Sequence, residues 1–132
     1  MNTLKGEISA IHSSGSLSML SILVKGLQLK VIVVETPETA SYLRTGKEIN
    51  LLFKETEVIL ACGPFSAISI ENRIPGTIIK ILQGELLSEI KISTLQGEIT
   101  AVIANTAIEE LQLSKNTEVI VMVKSNEIML SE

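Results

Sequence analysis

The chain has few of the side chains that usually bind metals. Its 132 residues include one cysteine, Cys62, and one histidine, His12. A single cysteine excludes an internal disulfide and a zinc cluster of thiolates. We interpret His12 as a surface or turn residue. The sequence therefore predicts no site for a transition-metal cation.

Aromatic side chains and positive charge are also scarce. There are two phenylalanines, one tyrosine and no tryptophan, and 11 basic against 15 acidic residues give a formal net charge of −4. Proteins that bind single strands stack bases on aromatic rings, and proteins that bind duplexes present a basic face to the phosphates. The composition therefore predicts no nucleic-acid partner.

Long apolar runs are missing as well. No stretch approaches the roughly 20 apolar residues that span a membrane, and runs such as Val31 to Val34 have the length of a strand. The first residues, MNTLKGEIS, lack the basic segment and apolar core of a secretion signal. These absences predict a cytoplasmic protein with no membrane partner.

What the chain does have is an internal repeat. Residues 1–62 align on residues 71–132 at a constant offset of 70, without insertion or deletion. An ungapped repeat of this length indicates a duplicated small domain, and we predict domains at 1–62 and 69–132 joined by a linker at 63–68. Identical residues fall on each other at Asn2 and Asn72, Gly6 and Gly76, Ile8 and Ile78, Ile22 and Ile92, Glu48 and Glu118, Lys54 and Lys124, and Leu60 and Leu130.

The size of each copy favours self-association. A domain of about 60 residues is near the lower limit for an independent core. The chain is nevertheless 45% hydrophobic, which is more apolar surface than two such small lobes hide alone. We therefore expect a homo-oligomer.

Alternating apolar residues predict the strands of each copy. In the first copy, alternation from Leu4 to Ala10 is followed by a polar break at His12 to Ser16, and Gly63-Pro64 marks the turn between copies. The further predicted strands are Leu17 to Val24, Leu27 to Val34, Glu48 to Phe53 and Glu57 to Ala61, with Ile99 to Ile103, Glu118 to Val123 and Glu127 to Leu130 in the second copy.

One short helix is predicted in each copy. Thr36-Pro37-Glu38 places a hydroxyl before a proline, and Thr106 to Glu109 has the spacing of a capping box. We expect these helices to end near Leu43 and Leu113. The order of elements predicts a mostly β protein of two tandem, OB-like, five-stranded Greek-key barrels, each with one short helix.

Two segments carry a family resemblance. The second copy opens with Ser69-Ile70-Glu71-Asn72-Arg73-Ile74-Pro75-Gly76 and closes with Val123-Lys124-Ser125-Asn126-Glu127-Ile128-Met129-Leu130. In this order and spacing the chain resembles the Mop domain, a molybdate-binding repeat also called TOBE. The duplication makes it similar to the tandem-Mop proteins called molbindins.

The resemblance implies binding of molybdate or tungstate at lobe or subunit interfaces, in a trimer of two-lobed chains. A tetrahedral dianion offers four acceptor oxygens and no donor, so it is bound by hydroxyls, amides, backbone N–H groups and ammonium. The ligand positions implied by the family are Ser69, Asn72, Lys124 and the backbone N–H of Ser125, with Lys54 and Asn2 as counterparts in the first copy. We expect Ser69 and Asn72 of one lobe to face Lys124 and Ser125 of another lobe, in a neighbouring chain.

Several positions depart from the family pattern. Glu71 stands where the family has arginine, and Ala104 and Ala107 stand where it has threonine and serine. The first-copy equivalents, Val34 and Pro37, also lack hydroxyls. A Mop-fold assembly or regulatory module without strong oxyanion binding is therefore the main alternative, and a nucleic-acid-binding OB module is a minor one. We predict no enzyme, because the sequence shows no nucleophile with a base and no phosphate loop.

Overall fold

A computed structural model describes residues 1–63 and 67–132 of the chain. Pro64, part of the predicted turn within the linker 63–68, lies outside the described residues. The first copy contains strands β1 (Asn2–Ser14), β2 (Leu17–Val24), β3 (Leu27–Val33), β4 (Glu48–Phe53) and β5 (Ile59–Ala61). The second contains β6 (Asn72–Gln83), β7 (Leu87–Thr94), β8 (Gly97–Ala104), helix α1 (Asn105–Leu111), β9 (Glu118–Val123) and β10 (Met129–Ser131).

The strands form two antiparallel five-stranded sheets that exchange their last strands. The strand order is β10-β4-β1-β2-β3 in sheet 1 and β5-β9-β6-β7-β8 in sheet 2. Leu130 thus pairs with Leu51 of the first copy, and Leu60 pairs with Val121 of the second. The mostly β fold with two five-stranded sheets is confirmed, but each sheet takes one strand from the other copy.

The repeat is visible in the backbone of both sheets. Each first strand carries one extra residue opposite its neighbour, between Ile8 and Ala10 and between Ile78 and Lys80. Gly6 and Gly76 occupy equivalent positions, at which β1 lies very close to β2 and β6 very close to β7. A Cβ on Gly76 would lie 2.6 Å from Ile92 Cγ2, so only glycine permits this approach.

One hydrophobic core joins the two copies. Its fully buried side chains come from equivalent positions of both sheets and are mainly β-branched or leucine, as expected on the inner face of a pleated sheet. The largest of them are Phe53, Ile8, Leu20, Ile22, Leu29, Ile49, Leu51, Ile74, Ile78, Ile90, Ile92 and Ile99.

The prediction of a helix in the first copy is wrong. Residues 37–39 form a turn, in which the N–H groups of Thr39 and Ala40 both bond to Thr36 O at 2.9 Å. The Thr36 N–H donates to Thr39 Oγ1 at 2.8 Å. These side-chain bonds offer the backbone an alternative to helix, and a helix this short is marginal without tertiary support.

The capping box predicted at Thr106 is also wrong. Helix α1 starts at Asn105 after an extended Ala104, so Thr106 lies inside the helix. Asn105 holds this start, because its backbone N–H bonds to Leu86 O and its amide reaches Gly84 O. The hydrogen bonds of Asn105 thus fix the helix before Thr106 is reached.

Two predicted boundaries also differ. The first strand runs through the expected break at His12, which pairs with Met19, and turns only at Gly15-Ser16. The strands expected from Glu57 and Glu127 start two residues later, because 3-10 turns occupy Glu55–Glu57 and Ser125–Glu127.

Candidate functional site

The predicted ligands of the second copy lie at one end of sheet 2. Asn72, the first residue of β6, pairs with Val123, the last residue of β9. Lys124 and Ser125 follow β9 directly, and Ser69 precedes β6 by a few residues. Asn72 and Lys124 of one lobe are therefore neighbours, whereas we expected Asn72 to face the Lys124 of another lobe.

The first copy contributes to this end through its edge strand. The 3-10 turn Ser125–Glu127 packs against β3. Asn72 bonds to the backbone of Lys30 on that strand, accepting from Lys30 N–H at 2.7 Å and donating to Lys30 O at 2.8 Å. This end of sheet 2 is therefore a junction between the two copies. The side-chain amide of Asn72 makes the two hydrogen bonds to Lys30 that a neighbouring strand would otherwise make.

Asn72 is only 2% exposed, and its amide is engaged with Lys30. The same arrangement recurs at Asn2, which is 6% exposed and bonds to Thr100 N–H and O at 2.8 Å each. We call these two pairs of bonds the Asn72 clip and the Asn2 clip. Their positions explain why asparagine stands at both: it supplies one donor and one acceptor side by side.

Three donors in the segments next to the Asn72 clip have no partner among the described residues. The Lys124 ammonium and the Ser69 hydroxyl are exposed, and within residues 1–63 and 67–132 neither makes a hydrogen bond or an ion pair. The backbone N–H of Ser125 is likewise without a partner in that part of the chain. An ammonium, a hydroxyl and an amide N–H are the groups that an oxyanion accepts from.

The equivalent end of the first copy has a different chemistry. Lys54 follows β4 as Lys124 follows β9, but the next residue is Glu55 instead of serine. The Glu55 carboxylate accepts from the Met1 ammonium at 2.7 Å, and this bond lowers the pKa of Glu55. The first copy therefore has a charged carboxylate, paired with the Met1 ammonium, at the position where the second copy has the Ser125 hydroxyl.

One of the departures from the family pattern lies at the Asn72 end. Glu71 is exposed, between Ser69 and Asn72. Ala104 closes β8, and Val34, 74% exposed, follows β3. Neither Val34 nor Ala104 offers a side-chain donor.

Sequence reasoning missed the partners of the clips and the anchor of the opening segment. Lys30 and Thr100 occupy equivalent positions of the repeat. This equivalence was the one feature of the sequence that could have indicated them as partners of Asn72 and Asn2. Arg73 donates from Nε to Ile70 O and from Nη2 to Ile68 O, both at 2.9 Å. Arg73 thereby holds the segment that contains Ser69 against β6.

Other binding chemistry is sparse in the part of the chain that the structure describes. Residues 1–63 and 67–132 contain no group of three or more His, Cys, Asp or Glu side chains able to hold a metal ion. None of their helices is long and apolar enough to cross a membrane.

Comparison with known proteins supports the resemblance to the Mop and TOBE domains. A model of the TOBE domain matches residues 68–130, which contain both segments of the resemblance. The chain is 29% identical over 109 residues to the molybdenum-pterin-binding protein MopB of Rhodobacter capsulatus. That match covers 81% of this chain but only 40% of MopB, so the chain spans less than half of that relative.

Solved structures extend the likeness to nearly the whole chain. The cytoplasmic molybdate-binding protein ModG, in a form with molybdate bound, superimposes with a TM-score of 0.91 at 26% identity. The match covers 98% of this chain and 94% of ModG. MopII from Clostridium pasteurianum matches 50% of this chain and all of its own at 25% identity, with a TM-score of 0.48.

Proposed function

Because this chain is a molbindin-like protein with a TOBE domain at residues 68–130, we propose that it binds molybdate or tungstate as the intact oxyanion. The observation that carries the proposal is the set of unpartnered donors at Ser69, Lys124 and Ser125, beside the Asn72 clip. The full-length likeness to a protein solved with molybdate bound supports it.

The chemistry follows from the charge of the ligand. Lys124 supplies the positive charge, and the Ser69 hydroxyl and the Ser125 N–H supply directed bonds to the oxygens. Asn72 acts by holding the edge strand β3 at the site and orienting the strand end, since its amide is engaged with Lys30. Lys54 forms a second, weaker site at the first copy, where Glu55 opposes the anion and Asn2 holds β8 as Asn72 holds β3.

We further propose that the sites are completed by self-association, in a trimer of this chain. Several large apolar side chains are fully available for such contacts: Leu95 is 87% exposed, Leu86 82% and Val34 74%. Exposed apolar surface on this scale favours burial between subunits. Static light scattering at micromolar concentration tests the proposal, and a monomeric mass contradicts it.

The biological role we propose is cytoplasmic storage or homeostasis of the oxyanion. A binding site without catalytic groups holds and releases its ligand without changing it. The alternative, an assembly or regulatory module without strong oxyanion binding, is favoured by Glu71 and by the missing hydroxyls at Val34 and Ala104.

Calorimetric titration of the purified chain with molybdate, tungstate and sulfate in parallel separates the two. The proposal predicts saturable heat with molybdate and tungstate. Sulfate, a smaller tetrahedral dianion, measures how much of the binding is charge alone. No heat at millimolar molybdate or tungstate refutes oxyanion binding and leaves the assembly module as the function.

A further inference from the structure

A cleft of about 650 Å³ lies in the second copy, away from the Asn72 clip. One wall is the outer part of β6, and the other is formed by helix α1 and the loop after it. Backbone bonds from Asn116 N–H to Ile78 O at 2.7 Å and from Ile78 N–H to Thr117 O at 3.0 Å fix the loop against β6. The lining residues are Ile79, Lys80, Ile81, Gln83, Ile108, Leu113, Ser114 and Lys115.

The lining combines an apolar surface with positive charge. Isoleucines and a leucine make up half of it, and Lys80 and Lys115 are its charged groups; it contains no carboxylate. Within residues 1–63 and 67–132, neither lysine makes an ion pair. The volume falls within the roughly 300–1,000 Å³ typical of small-molecule sites.

The first copy differs from this lining at several equivalent positions, including both lysines, although Arg44 stands where the cleft has Ser114. Ala10 replaces Lys80, Thr45 replaces Lys115 and Glu38 replaces Ile108. The helix that walls the cleft is also replaced by the turn at residues 37–39. The helix wall and the lysines of the cleft are therefore particular to the second copy.

We propose that this cleft binds a small organic anion with an apolar body, such as an aromatic or aliphatic carboxylate, phosphate or sulfonate. The isoleucines receive the apolar body, and the two ammonium groups pair with the anionic group. The site is independent of the oxyanion site, whose ligand is fully charged and has no apolar part.

The probe for the test is 8-anilinonaphthalene-1-sulfonate, which joins an aromatic body to a sulfonate and fluoresces when it binds. The proposal predicts saturation at one site per chain. Changing both Lys80→Gln and Lys115→Gln weakens binding about tenfold or more, because two charged contacts are lost. The matched control is Lys5→Gln with Lys25→Gln, which changes the net charge equally and leaves the affinity within about twofold.

Two further arms exclude simple apolar adsorption. Ile108→Glu, which installs the first-copy residue, weakens the probe about tenfold, whereas Leu95→Glu at the most exposed leucine does not. N-phenyl-1-naphthylamine has the same aromatic body without the sulfonate. It is expected to bind weakly, and the lysine substitutions are expected to leave its affinity unchanged. Equal effects of the site and control variants, or equal binding of the uncharged probe, overturn the proposal.

Thermal unfolding of each variant checks that the fold is intact. Molybdate titration of the doubly substituted protein keeps the two proposals apart, because Lys80 and Lys115 play no part in the oxyanion site. If the anionic probe binds as expected and molybdate does not, only the oxyanion proposal fails.

Discussion

The two ends at which the copies meet have the same backbone and different side chains. At the second copy, Lys124 and Ser125 follow β9 beside the Asn72 clip; at the first, Lys54 and Glu55 follow β4 beside the Asn2 clip. Duplication preserved the amides that hold the copies together. The ends differ at two positions: Ser125 against Glu55 after the strand, and Glu71 against Met1 before the asparagine. The Glu55 carboxylate is paired with the Met1 ammonium, whereas Glu71 is exposed beside the donors of the second copy.

The largest expected effect tests what the two ends share. Asn72→Ala removes both bonds to the buried Lys30 backbone and is expected to lower the free energy of unfolding by about 2–4 kcal/mol. Asn2→Ala is expected to cost the same within about 1 kcal/mol, since its two bonds to Thr100 are equivalent. Urea denaturation measures both, with exposed Asn126→Ala as the control. A small effect at either asparagine means that the clip does not stabilise the junction.

The next effect concerns charge at the second-copy end. Glu71→Arg replaces a carboxylate near Ser69 by a donor and is expected to strengthen molybdate binding about tenfold. Glu85→Arg, the same change at the exposed tip of the β6–β7 hairpin, is the control and is expected to alter affinity less than about twofold. Equal effects of the two substitutions indicate general charge attraction instead of a local contact.

Tyr42 tests a difference between the segment that joins β3 to β4 and its counterpart in the second copy. Its hydroxyl donates to Glu35, and partial burial together with this carboxylate raises the pKa of Tyr42 to about 12. Because the folded pKa is above the ordinary value of 10.0, the stabilisation is present below pH 10 and is lost as the pH rises towards 12.

Tyr42 is the single tyrosine and the chain has no tryptophan, so its ionisation can be followed by absorbance near 295 nm without interference. The expected midpoint lies near pH 12, and Glu35→Gln shifts it towards 10. An unshifted midpoint in the wild-type protein contradicts the bond to Glu35.

The smallest effect is at Thr106. A capping residue changed to alanine costs about 1 kcal/mol, but Thr106 lies inside α1 and makes no cap bond. Thr106→Ala is therefore expected to change the stability by less than about 0.5 kcal/mol. Asn105→Ala, which removes bonds to Gly84 O and Glu85 O, is expected to cost more. If thermal unfolding shows a larger loss of stability for Thr106→Ala than for Asn105→Ala, Thr106 is the capping residue after all.

The strands were predictable because their signal is local. Alternation located Leu17–Val24, Glu48–Phe53 and Glu118–Val123 at their observed bounds. The exchange of β5 and β10 was not predictable, because a three-residue strand carries no mark of which sheet it joins. Only the folded arrangement decides that Leu60 pairs with Val121.

The site was predictable in part. The repeat and the family pattern drew attention to Asn2 and Asn72, but the bonds to Thr100 and Lys30 link residues 98 and 42 positions apart and have no local signal. The failure at Thr36 has a different cause. There, a helix signal was real but weaker than side-chain bonds to the turn.

The most direct test of the account compares Lys124→Ala with Lys54→Ala in calorimetric titration with molybdate. Both remove one exposed lysine after an equivalent strand, so the net charge changes equally. Lys124→Ala is expected to weaken binding roughly tenfold to a hundredfold, since a charged hydrogen bond is worth about 1.5–3 kcal/mol. Lys54→Ala is expected to change affinity at the tighter site by less than about threefold. Equal affinities for the two variants contradict an oxyanion site centred on Lys124.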